Sequence, residues 1–474
     1  MNFSLRPIGI LGILSSLVLT LFQHAYVADA VEIDIQDAQS VRDAAASVAF
    51  DMMKYYTGNN TGDVPGNLPD PYYWWEAGAM FMSMVDYWYY TKDETYVAVT
   101  KQALLHQVGE ENDYMPANQT KSEGNDDQLF WGLAAMTAAE LKFSDPDNSH
   151  ASWVAQAQAV FNEMAGRWDT ASCQGGVRWQ IYSFNGGWNY KNIISNGGLF
   201  QLSARLARYT GNETYQTWAN KIWDWAEGTV LLDVDKWIVN DGTSTLSNCS
   251  QADQTQWTYN YGTLLVGSAF MYNVTESDKW KKRTEGLLES VWSRFFPDQM
   301  GPNIMVETTC EPSSLCDLDQ SSFKAYLSRW LALTAQVVPS SYEDIMKRLR
   351  ASAKGAAGQC SGSGHIADKT CGRQWNSTTW DGTMGIGEQM SALQVIGSVM
   401  LDLGNLDPPV TFATGGTSKA DPNAGTGSSS SNSDGTYDIS TPITGGDKAG
   451  ASILTIFLIL STIGGAYWMM MGDF

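Results

Sequence analysis

Tyr90-Thr91-Lys92-Asp93-Glu94-Thr95-Tyr96 and Tyr209-Thr210-Gly211-Asn212-Glu213-Thr214-Tyr215 are two copies of one junction, and Tyr272-Asn273-Val274-Thr275-Glu276-Ser277 is a looser third. Each follows a run rich in aromatic and small residues, and each sets Thr, Asn or Asp ahead of a Glu. That order starts a helix, because the side-chain oxygen accepts from a backbone N–H that has no partner within the helix. Phe143-Ser144-Asp145-Pro146 and Val338-Pro339-Ser340-Ser341 stand at equivalent places. A recurring junction marks a repeated supersecondary unit. Outward from these junctions, periodicity and caps predict twelve helices, over residues 37–57, 71–90, 93–108, 126–142, 149–167, 190–209, 212–228, 257–272, 276–295, 321–337, 340–357 and 385–403. Turns within a pair are short, whereas connections between pairs, such as 168–189 and 229–256, are long and rich in Gly, Trp and Asn. Six hairpins with that asymmetry predict an all-α fold, an (α/α)6 toroid with its functional site on the long-loop rim. The competing reading, an open α-solenoid, would have more uniform loops and polar caps at both ends.

Composition narrows the chemistry. The 474 residues are 43% hydrophobic, 12% aromatic and 17% charged, with 19 Trp and 21 Tyr, which excludes a disordered or collagen-like chain. A formal charge of −22 excludes the basic footprint of a nucleic-acid binder. Four His, none in an HxxxH or HExxH spacing, leave little material for zinc or Ser-His-Asp chemistry, so catalysis must lean on carboxylates. Asp317-Leu318-Asp319 lacks the oxygen-rich loop of a calcium site, and neither a metal nor a cofactor is expected.

The two ends of the chain predict its compartment. Residues 1–30 read as a signal peptide, with Arg6, an apolar stretch from Ile8 to Phe22, and Ala28-Asp29-Ala30 ahead of cleavage. Six Cys in an oxidising compartment predict three disulfides: Cys310 with Cys316 and Cys360 with Cys371 across short loops, leaving Cys173 for Cys249. Sequons at Asn59, Asn118, Asn212, Asn248, Asn273 and Asn376 mark candidate glycosylation sites. Residues 31–403 form the expected folded domain. Residues 404–448, rich in Gly, Ser, Thr, Pro and Asp, read as a linker. The apolar run from Ala449 to Met471 lacks a following Lys or Arg, which a retained membrane helix usually carries. With Gly445-Gly446-Asp447 ahead of it, residues 449–474 read as a removed tail, and Gly445 as the attachment point of a GPI anchor. Ser440 or another small residue nearby is an alternative attachment point, and a retained helix is the competing reading.

Asp126 and Asp127 stand where a long loop enters an inner helix, in Glu123-Gly124-Asn125-Asp126-Asp127-Gln128. Adjacent residues diverge inside a helix, but at its first turn both carboxylates can face one cleft. A retaining glycosidase needs such a pair, one to attack the anomeric carbon and one to protonate the leaving oxygen. The plainer alternative is a helix cap and a first-turn acid that complements the helix dipole.

Further segments bear on the choice: Gly175-Gly176-Val177-Arg178-Trp179, Tyr190-Lys191-Asn192-Ile193-Ile194-Ser195-Asn196, Trp257-Thr258-Tyr259-Asn260-Tyr261-Gly262, Phe323-Lys324-Ala325-Tyr326, Trp380-Asp381-Gly382 and Gly387-Glu388-Gln389-Met390. Together with the Asp pair they make residues 35–403 resemble glycoside hydrolase family 76, the endo-α-1,6-mannanases. The resemblance implies that Asp126 is the nucleophile and Asp127 the acid/base. With the leader and the anchor signal, it points to the fungal cell-wall-assembly branch of that family. That branch implies α-1,6-mannose glycans and GPI-linked mannoproteins as substrates, wall glucan as acceptor, and attachment to the outer face of the plasma membrane through the anchor. Trp74 and Trp75, with Tyr73 and Glu76, are candidates to stack on sugar rings or hold their hydroxyls, as are Trp179 and Trp188 on the rim. Asn125, Lys191, Asn192, Asn196, Tyr259, Asn260, Lys324 and Asp381 lie in the matching segments as candidate ligand contacts, with loop anchoring as the alternative; Glu388 reads as a cap. Competing functions are a catalytically silent mannan-binding scaffold, a plain endo-α-1,6-mannanase, and an inverting or eliminative toroidal enzyme.

Overall fold

At the three quoted junctions the structure repeats one device. Thr91, Thr210 and Thr275 each turn their hydroxyl back to the carbonyl four residues earlier, at 2.7, 2.7 and 2.6 Å, and each accepts from the backbone N–H two residues on. Lys92, Gly211 and Glu276 follow in the left-handed conformation that stops the helix. The sequence repeat is therefore a geometric repeat.

The structure, a computed structural model, describes residues 30–364, 366–426, 455–456 and 459–462. Two compact units are resolved, residues 1–429 and 430–474. The first contains all twelve expected helices. Six are inner: α2 (Trp74–Thr91), α4 (Asn125–Glu140), α6 (Ile193–Thr210), α8 (Thr258–Thr275), α10 (Phe323–Val337) and α12 (Ile386–Ser398). Six are outer: α1 (Ala38–Met53), α3 (Val97–His106), α5 (Trp153–Gly166), α7 (Glu213–Glu227), α9 (Asp278–Phe295) and α11 (Tyr342–Gln359). Each inner helix packs on the next, and α12 packs on α2, so the ring closes as the toroid reading requires and the solenoid reading does not. Inner-helix N-termini all lie on the long-loop rim. Element ends differ from expectation where local chemistry intervenes: Asp93-Glu94-Thr95-Tyr96 forms a turn held by Asp93, so α3 starts at Val97, and Tyr190–Asn192 is a strand ahead of α6.

Burial separates the two rings. In α4 every residue except Asp126 and Asp127 is buried. The outer helix α9 instead buries one face, with Trp280, Leu287, Val291 and Phe295, and leaves Lys279, Lys281 and Glu285 in water. Small residues let inner helices approach: Gly198 of α6 sits against the Leu129 side chain of α4, where a Cβ would have no room.

The long loops carry a three-stranded antiparallel sheet of β1 (Tyr190–Asn192), β4 (Gly242–Ser244) and β5 (Ala252–Asp253), besides a small hairpin of β2 (Leu232–Asp233) and β3 (Ile238–Val239). Lys191 pairs with Thr243, which pairs with Ala252. Cys173–Cys249 ties this sheet to the preceding loop, and Cys310–Cys316 and Cys360–Cys371 close shorter loops, as expected. Of the six sequons, five Asn are exposed and Asn212 is half-buried, capping α7.

The structure departs from the expected linker at 404. Residues 407–424 cross the short-turn rim and climb α5 as a strap. Arg208 donates to the Pro409 and Val410 carbonyls at 2.8 and 3.0 Å, Val410 N–H to Glu140 O at 2.9 Å, and Tyr209 Oη to Ser418 O at 3.0 Å. Ser418 Oγ accepts from Val154 N–H at 3.0 Å, Gln158 Oε1 from Asp421 N–H at 2.6 Å, and Asn162 reaches the Ala424 carbonyl at 2.8 Å. A polar composition misled the reading because backbone groups, which composition does not display, make these bonds. The signal peptide and Gly445 lie outside the described residues. In the second unit residues 455–456 and 459–462 are helical, and among the described residues no helix is long and apolar enough to cross a membrane.

Candidate active site

A cavity of about 540 Å³ opens on the long-loop rim at the toroid axis. Its walls include Asp126, Asp127, Trp75, Phe130, Trp179, Tyr190, Asn192, Asp241, Asp253, Tyr259, Asp319 and Phe323. Three inner-helix starts, α2, α4 and α8, thus deliver Trp75, the Asp pair and Tyr259 to one place.

The Asp pair is held from behind. Asp127, third in its helix, reaches back to accept from Gly124 N–H at 2.7 Å, and Asp126 Oδ1 accepts from Asp127 N–H at 3.2 Å. A Cβ at position 124 would lie 2.5 Å from Asp126 Oδ1 and 3.4 Å from Asp127 Oδ2, so both carboxylates crowd one glycine. Asn125 N–H donates to Trp179 O at 2.8 Å and its side chain to Arg178 O at 2.8 Å, which pins the Trp179 loop beside Asp126. Arg167 donates to Asn125 Oδ1 at 2.8 Å, bonds Gln128, and pairs with Glu163 at 3.1 Å.

Burial pushes Asp126 well above the usual carboxylate range, and the neighbouring Asp127 charge pushes it further; backbone N–H groups and the Trp179 indole favour its ionised form. Burial also lifts Asp127, to about 7, with Gly124 N–H opposing and Asp319 adding to the rise. Two such buried groups side by side resist ionising together. Asp319 itself is raised to about 6 by burial and by Asp317. Deeper in, Glu76 accepts from Tyr73 N–H at 2.7 Å and is raised to about 8 by burial.

Asp241, on the opposite wall, accepts from Tyr190 Oη at 2.8 Å and from Asn260 Nδ2 at 2.9 Å. Tyr259 stacks on Phe323 with ring centroids 3.9 Å apart and planes at 7°, giving a flat aromatic wall. Among the described residues no group of three His, Cys, Asp or Glu is placed to hold a metal.

The structure sorts the remaining candidates. Trp75, Trp179, Asn192 and Tyr259 line the cavity. Trp74 does not: it stacks on Trp131 and donates to Gln107. Trp188 lies under the Arg178 guanidinium, 4.4 Å away. Lys191 is fully buried, giving its protons to the Asp169, Ser172 and Gly175 carbonyls. Asn196 spans Val177 and Asn192, Lys324 pairs with Glu311 at 2.6 Å, and Asp381 gathers the backbone N–H groups of Arg373, Gln374 and Thr383. These, with Asn125, are loop anchors; Asn260 acts on the site through Asp241. Glu388 is buried near Arg373, 3.4 Å away, rather than in the cavity wall. Reading from sequence missed Phe130, Tyr190, Asp241, Asp253, Asp319 and Phe323 as cavity residues. Tyr190 and Phe323 stood inside quoted segments, and Asp319 was weighed only for calcium.

A closed helical toroid whose axial cleft sets adjacent carboxylates among aromatic walls defines a glycoside hydrolase of the all-α class. The chain belongs to glycosyl hydrolase family 76, whose model matches residues 40–411. It is 45% identical over 470 residues to mannan endo-1,6-alpha-mannosidase DCW1 of Saccharomyces cerevisiae, covering 98% of this chain and 99% of that protein. The crystal structure of Dfg5 from Chaetomium thermophilum in complex with glucosamine is 43% identical, with a TM-score of 0.78 over 83% of this chain and 97% of that one. An inactive variant of the alpha-1,6-mannanase GH76A of Salegentibacter, in complex with alpha-1,6-mannotetrose, shares the fold at 17% identity, with a TM-score of 0.60 over 77% of this chain and 99% of that one.

Proposed function

We propose that the protein is a retaining glycosidase and transglycosylase acting within α-1,6-linked mannose chains, with Asp126 as nucleophile and Asp127 as acid/base. The observation that carries this reading is the Asp pair, the accessible part of an otherwise buried inner helix, facing a cavity with room for a few sugar rings. Names of the full-length relatives support the linkage. Burial raises Asp127 and so favours its protonated form; it donates that proton to the departing glycosidic oxygen while ionised Asp126 forms the ester to the anomeric carbon. Asp127, now ionised, then takes the proton from the incoming hydroxyl, and attack by that oxygen breaks the ester. Tyr259, Phe323 and Trp179 supply faces on which an acceptor sugar can stack and displace water.

On this reading the donor is the α-1,6-mannose of a GPI-linked mannoprotein glycan and the acceptor is wall glucan, with the enzyme secreted and GPI-anchored at the outer face of the plasma membrane. Incubation of the protein with an α-1,6-mannoside donor, with and without wall-glucan oligosaccharides, tests the transfer step. A larger adduct is expected only when glucan is present; free reducing sugar alone in both samples would leave plain hydrolysis. Release of the protein from cells by a phosphatidylinositol-cleaving phospholipase tests the anchor, and resistance to it favours a retained helix.

A further inference from the structure

The large apolar side chains that the toroid leaves in water are gathered on one rim. Tyr73, Phe184, Leu246, Leu315 and Met384 are exposed, Leu246 at 81% and Leu315 at 76%, and each belongs to a long loop around the cleft mouth. Among the described residues of this unit, other exposed ones lie on the same loops or, like Phe50, at the end of α1 that meets them; Phe412 on the strap is the exception. Single exposed apolar residues are ordinary, but their confinement to one rim marks an interaction surface. The tips are also braced. Leu246 stands beyond the three-stranded sheet beside the Cys173–Cys249 bridge, Leu315 sits inside the Cys310–Cys316 ring with its N–H on Cys310 O at 3.0 Å, and Phe184 stacks on Tyr182 at 5.4 Å and 9°.

We propose that this crown inserts its apolar tips into the surface of a zwitterionic lipid bilayer and holds the cleft mouth against the membrane. Tips on separate loops around an opening suit a deformable interface, which meets them together and leaves the cleft between them free; a rigid partner packed onto the same tips would cover the opening. Charge selects the lipid. With Asp253 and Asp319 at the mouth and a net charge of −22, an anionic surface is repelled, and a zwitterionic one is not. The inference goes beyond the proposed function and takes from it only the nearness of a lipid surface.

The test uses the full chain on phosphatidylcholine vesicles. Because the three disulfides leave no free thiol among the described cysteines, single Leu246→Cys and Leu315→Cys variants can carry an environment-sensitive dye, with Glu94→Cys on the opposite rim as control. Intensity at 246 and 315 is expected to rise about twofold or more, and to be quenched by nitroxide-labelled acyl chains, while 94 stays water-like. A second variant, Phe184→Ser with Leu246→Ser and Leu315→Ser, is expected to keep its turnover of a soluble α-1,6-mannoside and to lose about tenfold on the same glycan carried by a vesicle lipid. Water-like emission at both crown positions overturns the proposal, as does a response that appears only with wall glucan or another protein. The fluorescence needs no turnover, so a failure of the transfer reading leaves this result standing.

Discussion

On the proposed assignment Asp126 and Asp127 do different work, although they are neighbours. Asp126→Asn keeps shape and removes the attacking charge, so turnover is expected to fall by at least about a thousandfold with Tm unchanged. Retained activity in the purified variant removes Asp126 from the role. Asp127→Asn is expected to cost about 10²–10⁴-fold on a natural mannan and far less on an aryl mannoside, whose leaving group needs no proton; equal losses on both contradict the acid assignment. Gly124→Ala is a subtler probe. Its backbone, at φ −89°, suits alanine, but the added Cβ meets Asp126 Oδ1 at 2.5 Å, so kcat is expected to drop about tenfold or more in a folded protein. The pH profile carries a sign: since Asp127 is raised to about 7, the proton it must donate is present below that value and lost above it, and kcat/KM is expected to decline through about pH 7 on the alkaline side.

Among elements, the strap of residues 407–424 is the one whose removal tells most. Arg208 is buried, its guanidinium held by the Pro409 and Val410 carbonyls and, through Nε, by Asn273 at 2.9 Å. Ending the chain at 403 strips away those carbonyls, whereas ending it at 426 keeps them. Buried charged donors left unpaired cost a few kcal/mol, so the shorter chain is expected to melt about 3 °C or more below the longer one. Equal melting temperatures would show that the strap contributes no stability. The anchoring loops make the same point inside the rim: Lys324 and Lys191 looked available to a ligand because they sit in motif segments, yet the backbone carbonyls and carboxylates of folded loops had already taken their protons.

For the whole molecule, buried acids set the dependence of stability on pH. Burial raises Glu76 and Glu307 each to about 8, against ordinary values near 4.5. The folded state therefore holds protons that the unfolded chain has released, and the stabilisation, complete below about pH 4.5, is lost as pH rises to about 8. Relief of a −22 charge acts in the same direction. Tm at pH 5 is expected to exceed that at pH 8 by more than about 4 °C, at roughly 1 °C per kcal/mol for a folded unit of this size; a higher Tm at pH 8 would contradict the sign.

Helices and their order were legible because they are local: Thr91, Thr210 and Thr275 make their bonds within four residues, so a repeated string is a repeated shape. The Asp pair was legible for the same reason, since the first turn of one helix sets both carboxylates. What the string does not carry is direction across the ring. Whether Trp75 or Trp74 faces the cleft depends on which neighbouring helix fills the other side, and Trp131 stacks on Trp74. Tyr190 meets Asp241 and Asp253 because the sheet and the Cys173–Cys249 disulfide fold one long loop over another, and Asp319, from a third loop, joins them as the toroid closes beneath. The amino-acid order by itself determined the elements, their caps and the carboxylate pair, through contacts within a turn or two. Only the tertiary structure decided which polar side chains were left to face the cleft, because burial and backbone partners are assigned when the ring closes.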